Sequence, residues 1–180
     1  MTPITRIESV QPASSAASGI IMSRDLGAVW LDERRYLFRV WATFSKQVHL
    51  HMVSPEERVI CMQDNRSGYH QVILDDVAPG TRYVYRLEDG TELPDPVSRY
   101  QPDGVFGPSQ VVDPRFDWRD AHWFGLPIEH YIIYELHVGT FTPAGTFEAV
   151  IPHLDELARL GITAIELMPV AQFPDAKLGL

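Results

Sequence analysis

Two glutamates and a histidine lie where chemistry could be done. Glu135 and His137 sit on one apolar run, Tyr131 to Val138, and Glu166 sits on a second, Ile162 to Met168. Alternate residues of a strand share a face, so Glu135 and His137 stand with Ile133, and Glu166 with Ala164 and Met168. If the two strands are neighbours in a closed parallel barrel, all three polar groups point into its interior near the carboxyl ends, where such barrels carry active sites. A carboxylate pair there could serve a glycosidic bond as acid and base, or acid and nucleophile. The competing reading is a buried polar cluster whose members satisfy one another.

Other residues admit two readings each. His49 and His51 share a face of one strand, which suggests a metal only if a third ligand joins them and otherwise a solvated face. Trp30, Trp41, Trp118 and Trp123 could stack on sugar rings, or bury their large apolar area in a core or a seam. Cys61 is the single cysteine, has no base beside it, and reads as an ordinary strand residue. No nucleophile elbow, phosphate loop or dinucleotide fingerprint is present. No catalytic, cofactor-binding or metal-binding residue is therefore assigned, and no cofactor is expected.

The elements that position these residues follow from their neighbours. The run from Tyr131 is rich in β-branched and aromatic residues, as a strand buried on both faces would be. Apolar positions at Phe147, Val150, Ile151, Leu154, Leu157 and Ala158 then form a helical stripe, with Thr146 able to cap it. Pro152 would remove a bond to Glu148, so the regular helix is placed from about Ile151, with Pro152 in its first turn. Gly161 ends it, and Ile162 to Met168 is a second buried strand. Two such strands with a helix between them make a right-handed βαβ unit of a parallel sheet.

Upstream, from Leu26 to Leu93, the period is two. Tyr36, Phe38 and Val40 alternate with Leu37, Arg39 and Trp41; Val48, Leu50 and Met52 alternate with His49 and His51; Tyr83, Tyr85 and Leu87 alternate with Arg82 and Arg86. Turn signals at Asp32-Glu33, Ser54-Pro55, Asn65 to Gly68, Pro79-Gly80 and Asp89-Gly90 separate about seven short strands, predicting a β-sandwich. Residues 94–130 hold six prolines and many aromatics, which predicts a segment without long regular elements that packs across the seam between two domains. Residues 1–25 offer little apolar surface and read as a loose tail. The predicted organisation is thus tail 1–25, sandwich 26–93, interdomain segment 94–130 and a further domain from 131 to 180.

Composition narrows the partners. The chain has 180 residues, 45% hydrophobic, with 15 Lys+Arg against 24 Asp+Glu and a formal net charge of -9. That balance argues against nucleic acid and anionic membrane and leaves neutral substrates open. No signal-peptide pattern and no run of membrane-spanning length occurs, and the lone cysteine fits a reducing cytoplasm.

Ile133 to Thr142 (IYELHVGTFT), Gly145-Thr146-Phe147 and Leu160 to Val170 (LGITAIELMPV) resemble the opening of the catalytic barrel of glycoside hydrolase family 13, the α-amylase family. Leu93 to Val105 (LPDPVSRYQPDGV) and Gly107 to Pro114 (GPSQVVDP) resemble its interdomain segment, and the sandwich resembles early-set immunoglobulin-like folds and carbohydrate-binding module family 48. Within the family the likeness is greatest to members that release trehalose from maltooligosyl trehalose; glycogen branching enzymes share the architecture but match the first strand less well. The likeness runs from about Leu26 to Pro174. It implies an all-β immunoglobulin-like sandwich followed by the first βαβ unit of a truncated (β/α)8 TIM barrel, acting on the α-1,4 bond beside a terminal trehalose. It also implies α-glucan or maltooligosyl trehalose as the ligand.

The family's nucleophile Asp, acid/base Glu and second Asp stand on later barrel strands. Relatives continue past the position of Pro174 with a Trp-Gly-Tyr-Asp-Gly-like run, where this chain reads Asp175-Ala176-Lys177-Leu178-Gly179-Leu180. The expectation is that this chain alone is inactive and that its exposed barrel strands self-associate. The alternative is a non-catalytic module that binds α-glucan or docks to another subunit.

Overall fold

The computed structural model describes residues 7–8, 25–65 and 67–171. The chain forms two compact units, Met1–Arg115 and Phe116–Leu180.

The first unit is a sandwich of two sheets. One has the order β1 (Ile7–Glu8), β5 (Arg58–Cys61), β4 (Val48–Ser54), β8 (Arg82–Leu87), β10 (Ser109–Gln110), with β9 (Glu92–Leu93) also paired to β8. The other has the order β2 (Gly27–Asp32), β3 (Arg35–Trp41), β7 (Tyr69–Leu74), β6 (Gln63–Asp64). Pairing is antiparallel except between β1 and β5. The tail expected over residues 1–25 lies outside the described residues, save Asp25 and the backbone of Ile7–Glu8.

The core face of the period-two pattern resolves as expected, but Leu37 of β3, His51 of β4 and Val84 of β8, on the alternate face, are buried as well. Tyr36, Phe38 and Val40 of β3, Val48, Leu50 and Met52 of β4, and Tyr83 and Tyr85 of β8 face one shared core with Ile60, Met62, Val72 and Leu74. Phe38 and Tyr83, from opposite sheets, meet edge to face at 5.0 Å. Between Arg58 and Asp64 the chain divides at buried Met62, β5 joining one sheet and β6 the other. A strand that changes sheets in this way makes a corner of the sandwich.

The proline-rich stretch is more tightly bound to the sandwich than its composition suggests. The chain leaves β9, passes through the prolines and returns as β10 along the same edge of β8, pairing Ser109 with Tyr83 just beyond the Leu93–Tyr85 pair. Ser109 and Val111 are buried, and the Tyr36 hydroxyl donates to the Val112 carbonyl at 3.2 Å.

In the second unit β11 (Ile133–Leu136) runs parallel to β12 (Ala164–Leu167), from Ile133 opposite Ala164 to Leu136 opposite Leu167. Three expectations are corrected here. The first strand stops at Leu136, because Val138–Phe141 turns into a short helix, α1. The intervening helix begins earlier than Ile151, with α2 (Phe147–Val150) capped by the Thr146 hydroxyl, which accepts from the Ala149 amide at 3.3 Å. Ile151–His153 then tightens to a 3₁₀ turn that accommodates Pro152, before α3 (Leu154–Leu160). Gly161 ends α3 with φ +99°, and the Ile162 amide bonds back to the Leu157 carbonyl at 3.1 Å. Finally, the strands are not buried on both faces: Ile133, Tyr134, Leu167 and Met168 are exposed, because a two-stranded sheet with one helical layer covers only Leu136, Val150 and Leu157 well.

Candidate functional site

Glu135 and Glu166 are direct partners across the β11–β12 ladder, so the two carboxylates emerge side by side from one face. Both are exposed, and half-buried His137 lies just past the strand, where its Nδ1 is 3.4 Å from the Thr140 hydroxyl. Among the described residues no hydrogen bond joins the three. Within these residues the three do not form a self-satisfied cluster, since the strand faces that carry the two glutamates are open. A pair in open solvent also lacks the enclosure that sets an acid apart from its partner carboxylate.

The histidines of β4 diverge. His49 is half-buried, and loss of hydration with the nearby Arg86 cation holds its imidazole below the usual range. His51 is buried, contrary to the solvated face expected for it. Its Nδ1 lies 2.6 Å from Glu92 Oε1 and its Nε2 3.3 Å from Glu57 Oε1. Burial raises the Glu92 carboxyl, but hydrogen bonds from Arg86 and His51 outweigh it and hold the group below the ordinary range. The cluster ties β9 and the β4–β5 turn to the sheet. Among the described residues no group of three His, Cys, Asp or Glu side chains is placed to hold a metal ion.

A buried carboxylate that the sequence did not single out organises the proline-rich stretch. Asp95 Oδ2 accepts from the Tyr83 hydroxyl at 2.6 Å and the Tyr85 hydroxyl at 3.4 Å, and Oδ1 accepts from the Val97 amide at 3.0 Å. The Asp95 amide donates to the Ser109 hydroxyl at 3.0 Å. Gly27, with φ +86°, makes room: a Cβ there would stand 3.0 Å from Asp95 Oδ2. Burial pushes the Asp95 carboxyl up, against the hydrogen bonds from Tyr83, Val97 and Tyr85. Both phenols are driven far above their ordinary value, chiefly by burial and then by the Asp95 charge. The only local sign is an Asp-Pro pair two residues after a strand, which gives no hint of the tyrosines that receive it.

The tryptophans separate as well. Trp30 packs against the core, and its indole N–H donates to the Glu33 carbonyl at 3.2 Å, so it is a packing residue. Trp41 is 57% exposed on the outer face of β3, directly opposite Tyr69. Trp118 and Trp123 of the second unit are exposed too, as are Phe106, Phe116 and Phe124. Cys61 is an exposed free thiol on β5, with the Gln47 amide nitrogen 3.3 Å away.

Set beside known proteins, residues 25–103 match the model of carbohydrate-binding module 48, the isoamylase N-terminal domain. Malto-oligosyltrehalose trehalohydrolase of Saccharolobus solfataricus is 46% identical over 147 residues, 82% of this chain and 26% of that protein. The enzyme of the same name from Deinococcus radiodurans is 42% identical over 137 residues, 76% of this chain and 22% of its own length. A Salmonella typhimurium crystal structure designated an alpha amylase superposes with TM-score 0.77 at 43% identity, covering 85% of this chain and 26% of that one. The chain thus spans about a quarter of the length of the relatives it matches.

Proposed function

We propose that these 180 residues belong to a trehalose-releasing glycoside hydrolase of the α-amylase family, hold α-glucan for it, and do not themselves make its hydrolytic site. In the whole protein, water cleaves the α-1,4 bond beside the terminal trehalose of a maltooligosyl trehalose. The parallel β11–β12 unit is the first βαβ unit of that protein's (β/α)8 barrel, and its exposed Ile133, Tyr134 and Leu167 are the side chains further strands and helices would cover. An uncovered apolar strand surface of this kind favours self-association. Glu135 and Glu166, side by side in water, are not its acid and nucleophile. We place the protein in the cytoplasm; no described helix is long and apolar enough to cross a membrane.

The observation that carries the glucan assignment is the match of residues 25–103 to a carbohydrate-binding module on a sandwich with an aromatic at its outer face, Trp41. The test is native electrophoresis of the purified chain in gels with and without soluble starch. Retardation by starch is expected. Equal mobility in both gels would overturn the assignment.

A further inference from the structure

We infer that His51 is a pH-sensitive cross-link on the outer face of the β5–β4–β8 sheet. Charged, its ring ties Glu92 of β9 to Glu57 of the β4–β5 turn; neutral, it keeps Glu92 and releases Glu57.

A count of donors carries the inference. The His51 side chain is 9% exposed, so water is largely kept from the ring. Nδ1 lies 2.6 Å from Glu92 Oε1, and Nε2 lies 3.3 Å from Glu57 Oε1. Carboxylate oxygens only accept and a neutral imidazole carries a single N–H, so only the doubly protonated ring serves both glutamates. At 2.6 Å the proton is on Nδ1, because two facing lone pairs would repel at that distance. Loss of the other proton therefore turns the Nε2 lone pair toward Glu57.

The surrounding charges decide which glutamate leaves. Glu92 Oε1 also accepts from Arg86 on β8, at 2.7 Å from Nε and 2.6 Å from Nη2, so it stays bound whatever the charge of the ring. The Glu57 side chain is 60% exposed, and among the described residues its ion pair is the one to His51. Arg86 Nη2, 3.2 Å from Nδ1, is the cation that faces the ring. The rest of that face adds no other charge against it. Val59 and Val84 stand opposite His51 on β5 and β8, His49 stands opposite Cys61 and Arg86, and Arg82 is paired with Asp103. Histidine is the side chain that changes charge between about pH 5 and 8, so the turn is tied on the acid side of that range and loose on the alkaline side.

The test is urea unfolding of the full 180-residue chain and of Glu57→Gln, His51→Gln and the double variant, at about pH 5.5 and about pH 8.5. At the lower pH, Glu57→Gln is expected to reduce the folding equilibrium constant about threefold, as for a partly exposed ion pair. At the higher pH the loss is expected to shrink below about 1.5-fold, and in the His51→Gln background it should be equally small at both. An equal loss at both pH values, or none at either, would overturn the inference, since a contact that only shapes the turn has no reason to follow the charge of His51. Long-range proton–nitrogen spectra of the unaltered chain give a second reading that needs no variant. Two protonated ring nitrogens are expected at the lower pH, and a proton on Nδ1 at the higher. A proton on Nε2 at the higher pH would also overturn it, because Glu57 would then be the partner retained.

Discussion

Replacing Asp95 with alanine is expected to destabilise the first unit by about 3–5 kcal/mol, because it strands two buried phenol hydroxyls at about 1–3 kcal/mol each and frees the proline-rich return. Asp95→Asn keeps an acceptor for Tyr83 and is expected to cost about 1 kcal/mol. Urea unfolding reads both as a lower midpoint at unchanged slope. A change within about 0.5 kcal/mol for the alanine variant would show that the carboxylate does not anchor the segment. The pH dependence has a definite sign. Burial raises the folded carboxyl above its unfolded value near 3.8, and the hydrogen bonds only partly oppose this. Asp95's contribution is therefore fully present below that value and lost as pH rises through the folded value. The stability gap between the unaltered chain and Asp95→Asn should accordingly be wider at pH 4 than at pH 7.

Phe38→Ala is the second large effect. Phe38 is wholly buried between the sheets and meets Tyr83 edge to face at 5.0 Å with planes at 77°. Its removal is expected to cost about 3–5 kcal/mol, transfer and cavity together. Because Tyr83 also holds Asp95, Phe38→Ala and Asp95→Ala share a partner and should not add; a double-mutant cycle is expected to leave about 0.5–1.5 kcal/mol of coupling. Strict additivity would separate the aromatic contact from the carboxylate anchor.

What the sequence made legible follows from which forces are local. The burial of Leu37 on the outer face of β3 could not be read, but alternation of Tyr36, Phe38 and Val40 with Arg39 and Trp41 reflects the core face and could be read directly. So could the turn residues, and Gly161 as the end of α3. The start of the helix was missed because Pro152 was weighed as an absolute break, whereas a single 3₁₀ turn relieves it. Asp95 was invisible because its partners lie 10 and 12 residues upstream and 14 downstream, and only the pairing of β8 with β9 and β10 brings them together. His51 was misjudged for the same reason, since Glu92 reaches it from 41 residues away. The side-by-side placement of Glu135 and Glu166 was anticipated, but their exposure depends on which further elements cover β11 and β12. Trp41 looks no different in sequence from Trp30, which packs against the core; burial alone distinguishes them.

The claim that these residues hold glucan without cleaving it is tested most directly by incubating the purified chain with maltotriosyl trehalose and measuring liberated trehalose. No release above the buffer control is expected. Steady release that disappears in Glu135→Gln would contradict the account and make the exposed carboxylate pair of β11 and β12 a working active site.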